Sequence, residues 1–383
     1  MTLLRWSARL SVAAAAALLL AAAAFADPMV LRRGTAAEPP TLDPNLGAGT
    51  LAAPIIGDMV AGLLMRGPDS SPIPACAERW DISDDGLTYT FHLREGLKWS
   101  DGTDLTAEDF VYTYRRLLDP ATASRLVGVF FGVKNARAAF LGRAPLESVG
   151  VTAPDARTVV FELETPMPYF IELIGNLQIG PVPRHVIDEH GKSWTKPGRM
   201  VTNGPYVLEE RIPQSYIKLV KNPYFFDADS VEIDEVYWYP TQSLATSMKR
   251  FRAGELDIVL NFPPDEIGWI KENMPDALHV VPTLGTYFLV VNTREPPLDD
   301  VRLRKALYLA IDREAITDRL LRTGVRPAWS FAPPEFKNYD ALDVPEASLS
   351  LAERQAMARK LVAEAGFAPG ELTIDLLYDT QEE

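Results

Sequence analysis

From Leu87 to Leu93 apolar and polar residues alternate. Leu87, Tyr89, Phe91 and Leu93 fall on one side, Thr88, Thr90 and His92 on the other. A period of two predicts a strand with one buried face. Trp80 to Ser83 leads into it through Asp84-Asp85-Gly86, a turn signal, and Ser100-Asp101-Gly102 makes the next turn. Beyond that turn the period lengthens: Phe110, Tyr114, Leu117 and Leu118 share one face of a helix. Thr106 fits its N-cap, Asp109 completes a capping box, and Asp119-Pro120 stops it.

The same mixed texture runs on. Thr158 to Leu163 alternates as a strand. Asn203-Gly204-Pro205 reads as a turn before Tyr206-Val207-Leu208, and Tyr216 to Val220 is the hairpin partner expected of that segment. Leu244, Met248 and Phe251 mark an amphipathic helix ended by Gly254, and Leu256 to Leu260 reads as a buried strand. Thr286 to Asn292 is a further strand, rich in Tyr, Phe and Val. Asp300 opens a helix, Asp312 caps another that Gly324 ends, and Ser350 with Glu353 forms a capping box for a helix closed by Gly366. Leu372 to Leu377 is apolar on both faces, the pattern of a central strand. Such a strand needs neighbours, and the chain stops at Glu383; this favours a C-terminally truncated chain.

Composition narrows the class. The 383 residues are 47% hydrophobic and 23% charged, enough for two or three lobes. The formal net charge of −14 argues against nucleic acid as partner, since phosphate binding needs clustered Lys and Arg. Arg5 and Arg9 precede an Ala- and Leu-rich run from Ser11 to Ala24, then Phe25-Ala26. This is the layout of a secretory signal peptide over residues 1–26, cut after Ala26. The run is short for a membrane span of about 20 residues. The sole cysteine, Cys76, lies far from that cut, so it is not a lipid-modified first residue. A periplasmic protein is expected.

No catalytic set is visible. His185 and His190 stand five apart without a carboxylate at metal-ligand spacing, and no metal is expected. There is no Gly-x-Ser-x-Gly elbow and no Gly-rich phosphate loop after a strand. Asp101 and Asp104, and Asp299-Asp300, suit a turn and a helix start rather than an acid pair. The aromatics of Asn222-Pro223-Tyr224-Phe225-Phe226 and Tyr237-Trp238-Tyr239 suit a pocket wall or a core.

Several runs resemble one family in order along the chain. They are Thr41-Leu42-Asp43-Pro44; Asp85-Gly86-Leu87-Thr88-Tyr89-Thr90-Phe91; Lys98-Trp99-Ser100-Asp101-Gly102; Leu105-Thr106-Ala107-Glu108-Asp109-Phe110; Val201-Thr202-Asn203-Gly204-Pro205-Tyr206; and Arg252-Ala253-Gly254-Glu255-Leu256-Asp257. They resemble the family 5 extracellular solute-binding proteins, the peptide-binding components of bacterial ABC importers, and within them the oligopeptide-binding branch. The resemblance implies an α/β fold: a hinged two-lobed periplasmic binding protein, type II-like, with an additional domain and an incomplete second lobe. It implies residues 27–60 and 184–284 for lobe I, 61–183 for the additional domain II and 285–383 for part of lobe III. It further implies an oligopeptide ligand, a membrane permease as partner, a monomer, no cofactor and no enzymatic activity. The strand-turn-helix unit over Phe91–Tyr112 is then scaffold. The implied ligand-binding residues are Ala48, Gly49, Thr50, Leu126, Asn176, Tyr287 and Val290, a mostly uncharged set suited to neutral or apolar side chains. Alternatives are the same fold binding another solute (a dipeptide, a metal chelate, haem, an opine or a sugar oligomer), a truncated product without binding activity, and a secreted hydrolase built on dispersed carboxylates.

Overall fold

The computed structural model describes residues 27–47, 49–176, 179–281, 285–336, 339–340 and 342–377. The expected signal peptide and the candidate Ala48 lie outside the described residues. The chain forms two units divided between Leu260 and Asn261, and each is described by itself.

In chain order the first unit contains β1 (Val30–Thr35), α1 (Ala53–Met59), β2 (Leu64–Arg66), β3 (Pro72–Pro74), β4 (Ala77–Ile82), β5 (Thr88–Leu93), α2 (Ala107–Leu118), α3 (Ala136–Phe140), β6 (Val151–Asp155), β7 (Thr158–Glu162), α4 (Phe170–Asn176), α5 (Arg184–His190), β8 (Tyr206–Ile212), β9 (Tyr216–Lys221), β10 (Glu235–Pro240) and α6 (Leu244–Arg252). Two four-stranded sheets result. One runs β4-β5-β7-β6 and is antiparallel throughout. The other runs β1-β10-β9-β8, with β1 parallel to β10 and the remaining pairs antiparallel.

Each sheet has its own core. In β5 the alternation buries Tyr89, Phe91 and Leu93 and leaves the residues between them half-buried. The N–H of Thr106 donates to Asp109 Oδ2 at 2.8 Å, closing the start of α2. That helix lays Phe110, Tyr114, Leu117 and Leu118 onto the antiparallel sheet. The Tyr114 ring meets Phe161 edge-on, centroids 4.9 Å apart. Full burial of each such side chain stabilises by about 1.5–3 kcal/mol. The second core gathers Leu42, Ile55, Ile56 and Met59 with Trp194, Leu219 and Trp238 under the mixed sheet.

The two cores meet where the chain passes from Met59 to Ala61. Asn203, buried, accepts the Ala61 N–H on Oδ1 at 3.1 Å and donates from Nδ2 to the Ala61 carbonyl at 2.8 Å. The same nitrogen donates to Cys76 Sγ at 3.3 Å. Burial pushes the Cys76 thiol up to about 12, so it stays neutral. The Gly204 N–H donates to the Met59 carbonyl at 2.8 Å. A Cβ on Gly204 would lie 2.4 Å from that carbonyl carbon, so the close approach requires glycine. The Ser100-Asp101-Gly102 turn locks onto the same segment. Ser100 N–H donates to the Thr202 carbonyl at 2.8 Å, and Thr202 N–H to Ser100 Oγ at 3.1 Å. Asp101 also holds His185 of α5 at 2.9 Å.

The second unit contains α7 (Ile267–Asn273), α8 (Val301–Ala310), a π-helical stretch Ala315–Leu321 and α9 (Leu351–Glu364). Asp300 caps α8 by accepting the Arg302 N–H at 2.8 Å, and Ser350 with Glu353 forms the expected capping box of α9. Ala306 and Leu309 pack on Ala358 between these helices. Arg354, buried, donates to Glu314 at 3.1 Å and lies over the Trp329 ring at 4.7 Å.

Four sequence expectations need correction. Leu256 to Leu260 makes only an isolated bridge, Ile258 to Arg33; Leu256 is buried and Leu260 exposed. Thr286 to Asn292 and Leu372 to Leu377 form no strand, and Tyr287, Val290 and Leu377 are 91%, 86% and 97% exposed. A strand exists only through ladder hydrogen bonds, and among the described residues of this unit no neighbouring strand supplies them. The segment after Asp312 is a π-helix ending at Leu321, with left-handed Arg322 next, rather than an α-helix ended by Gly324. Asp312 still caps it, accepting the Ala315 N–H at 2.9 Å.

Gly204→Ala should destabilise the chain by about 2–3 kcal/mol through the clash with Met59. Asn203→Ala should cost about 1–3 kcal/mol by stranding the buried Ala61 amide groups. Urea unfolding midpoints equal to wild type would refute both. Glu38 accepts from Arg211 Nε at 3.0 Å and Nη2 at 2.7 Å, and from the Gln214 N–H at 3.1 Å, at the β8–β9 turn. Burial works to raise its carboxyl, but the bonds from Arg211 and Gln214 outweigh it and hold the group below its usual range. A lowered folded-state value stabilises above the unfolded value of about 4.3 and loses that effect as pH falls. Glu38→Gln should therefore be less stable than wild type at neutral pH, with the gap closing in acid. A gap of constant size, measured by urea unfolding across that range, would contradict this.

Candidate ligand-binding site

The loop that follows β1 is built around a buried carboxylate. Leu42 drops into the second core and brings Asp43 inside with it. Arg116, from the last turn of α2, grips both oxygens of Asp43: Nη2 to Oδ2 at 2.6 Å and Nη1 to Oδ1 at 3.0 Å. Trp194 Nε1 donates to Oδ2 at 3.2 Å, and the Asn45 N–H to Oδ1 at 2.9 Å. The Asp43 side chain is 5% exposed and that of Arg116 17%, so water screens the pair weakly. Arg116 Nη1 also donates to Asn45 Oδ1 at 2.6 Å.

The backbone then tightens. The N–H groups of Leu46 and Gly47 both donate to the Asp43 carbonyl, at 3.0 and 2.7 Å. A Cβ on Gly47 would lie 2.2 Å from Ile56 Cδ1, so the loop lies directly on α1. Gly49 takes φ +95°, a left-handed conformation that favours glycine, with open space where a Cβ would stand. Its carbonyl accepts the Ala53 N–H at the start of α1. Asp58 anchors the far end of that helix, accepting from Arg33 Nη1 at 3.2 Å and Trp238 Nε1 at 3.0 Å. Burial pushes the Asp58 carboxyl up, and Arg33 and Trp238 oppose the rise.

Of the residues predicted to meet ligand, Gly49 and Thr50 stand side by side, exposed at the tip of this loop. Leu126 is half-buried against the antiparallel-sheet core, its N–H bonded to Ser124 Oγ at 3.2 Å. Asn176 is the last residue of α4. Tyr287 and Val290 belong to the second unit, and both are exposed. The aromatic runs divide by face. Trp238 is core, whereas Tyr237 and Tyr239 stack on the opposite face of their strand, 5.9 Å apart, with Tyr216 beside them. Asp101 and Asp104 act as turn residues, bonded to Thr103 and Lys98. Among the described residues no group of three or more His, Cys, Asp or Glu is placed to hold a metal.

The network of Asp43, Asn45, Arg116 and Trp194 escaped sequence reasoning. Arg116 follows Arg115 on a helix whose apolar face was already assigned, and there an arginine reads as solvated. Nothing in its spacing points to a partner 73 residues earlier. Asp43's oxygens are saturated by donors, so the group positions the loop and offers no base.

Comparison with known proteins gives this geometry a context. The model described as bacterial extracellular solute-binding proteins, family 5 Middle, matches residues 71–383. The chain is 39% identical to the probable deoxycholate-binding periplasmic protein YgiS of Escherichia coli, over 93% of this chain and 66% of that protein. It is 38% identical to the periplasmic oligopeptide-binding protein OppA of the same organism, over 94% of this chain and 66% of that one. Among solved structures, the murein tripeptide binding protein MppA of E. coli superposes with a TM-score of 0.86 at 35% identity, over 90% of this chain and 68% of that one. Haemophilus influenzae OppA in complex with the peptide RPPGFSPFR gives 0.84 at 31% identity, over 90% and 68%. The chain thus spans about two thirds of the length of these relatives, and shares the α/β fold of the periplasmic peptide-binding proteins. The chain belongs to the bacterial extracellular solute-binding proteins of family 5.

Proposed function

We propose that this chain is the substrate-binding component of an ABC importer. In this reading it is exported to the periplasm, cut after Ala26, and captures oligopeptides between two lobes for delivery to a membrane permease. It works as a monomer, needs no cofactor and performs no catalysis. Residues 27–60 and 184–284 are assigned to lobe I, 61–183 to the additional domain and 285–383 to the opposing lobe. The division near residue 61 is supported by the two cores of the first unit, one drawn from Ala61–Ile179, the other from Leu42–Val60 and Val182–Trp238. The observation that carries the reading is the superposition on OppA solved with a bound nonapeptide. Peptide held through its backbone asks little of side chains, which agrees with a loop tip of Gly49 and Thr50. Ala48, Leu126, Asn176, Tyr287 and Val290 complete the proposed contact set.

A second reading, the same fold binding an apolar acid, is favoured by the uncharged character of that set and by the likeness to YgiS. Thermal unfolding with trialanine, trilysine, a mixed tri- to pentapeptide library and deoxycholate separates the two. A ligand at a hundred times its dissociation constant adds about 2.7 kcal/mol of stability, a clear rise in Tm. The first reading expects that rise with peptides, larger for trialanine than for trilysine. A rise with deoxycholate alone would transfer the assignment to the second. No rise with any of them would overturn both.

A further inference from the structure

The loop bearing Gly49 and Thr50 springs from the mixed sheet, yet its strongest polar anchor belongs to the other core. Arg116 rides on α2, whose Tyr114, Leu117 and Leu118 are buried against the antiparallel sheet. Its planar fork sets three things together. It fixes the Asp43 carboxylate, to which the Asn45 N–H donates. It draws Asn45 Oδ1 toward itself, which turns Asn45 Nδ2 away; that nitrogen is buried and has no partner among the described residues. Through Asp43 it holds the residue whose carbonyl receives the Leu46 and Gly47 N–H groups. Trp194 supplies the remaining donor.

We infer that Arg116 is a positioning residue for ligand capture: from the antiparallel-sheet core it sets the conformation of residues 43–47, so that Gly49 and Thr50 beyond them meet the ligand already arranged. This rests on the reading above that those two residues face ligand. A loop ordered beforehand spares the ordering cost at binding, and only its competent fraction counts toward affinity. A purely structural role is a different case. Arg116 would then join the two cores as Asn203 and Ser100 do, and its loss would loosen every contact of the joint alike.

The test uses Arg116→Lys, which keeps the charge but loses the bidentate fork. Trp194→Phe, which removes one donor and keeps an aromatic ring, serves if the first variant folds poorly. Amide hydrogen exchange is measured on the ligand-free chain, and trialanine affinity alongside. In Arg116→Lys the Leu46 and Gly47 amides should exchange about tenfold faster or more, while those of Ala61, Gly204 and the β8–β9 ladder keep wild-type rates. Trialanine should bind about tenfold more weakly, a change of about 1.4 kcal/mol. Trp194→Phe should shift both in the same direction by less. Unchanged loop exchange, or equal acceleration throughout the unit, would overturn the inference; so would faster loop exchange with undiminished affinity. If wild type binds none of the peptides, the functional reading fails by itself, and the exchange pattern still decides whether Arg116 orders the loop.

Discussion

The ion pair between Asp43 and Arg116 is the constraint on which the loop after β1 depends, and it bridges the two cores of the first unit. Each partner is placed by a different core. Leu42 pulls Asp43 beneath the mixed sheet, and the apolar face of α2 fixes Arg116 over the antiparallel one. Taking both charges out of water is costly, and their attraction offsets that cost only when geometry is good and the remaining lone pairs are filled. Here both conditions hold: the fork is bidentate, and Trp194 and the Asn45 amide supply the other donors. Such a pair adds little net stability over an apolar contact; its bidentate fork holds Asp43, and with it the loop after β1, in one orientation. The placement of the cores themselves rests on Asn203 and Gly204, one with paired amide bonds and one with a backbone approach that excludes any side chain.

This arrangement accounts for the many polar groups of the strand-turn-helix unit over Phe91–Tyr112. Asp109 closes the helix start, Asp101 folds the turn and reaches His185, and Ser100 pairs with Thr202. The same side chains that shape the unit locally also dock it on the neighbouring core. Arg116, four residues beyond Tyr112, extends that docking to the loop of Gly49 and Thr50.

What could be read from the sequence was what depends on near neighbours. The β5 alternation, the capping boxes at Thr106 and Ser350 and the β8–β9 hairpin are all local, and each formed as its pattern predicts. Strand propensity was legible at Thr286–Asn292 and Leu372–Leu377, but a strand is a property of a pair, and no described neighbour of that unit completes it. The β1–β10 pairing joins segments some two hundred residues apart, beyond any periodicity argument. The Asp43 network was hidden for the same reason. Its residues come from positions 43, 45, 116 and 194, and no motif links them.

The loop divides its labour along its length. Asp43 and Asn45 are buried and bonded, and Gly47 is pressed against Ile56; these positions admit few substitutions without disturbing a core. Two residues on, Gly49 has open space beside it and Thr50 is exposed. A side chain changed at Thr50 alters what the loop presents without touching what holds it. At Gly49 the left-handed backbone restricts the choice even though space does not.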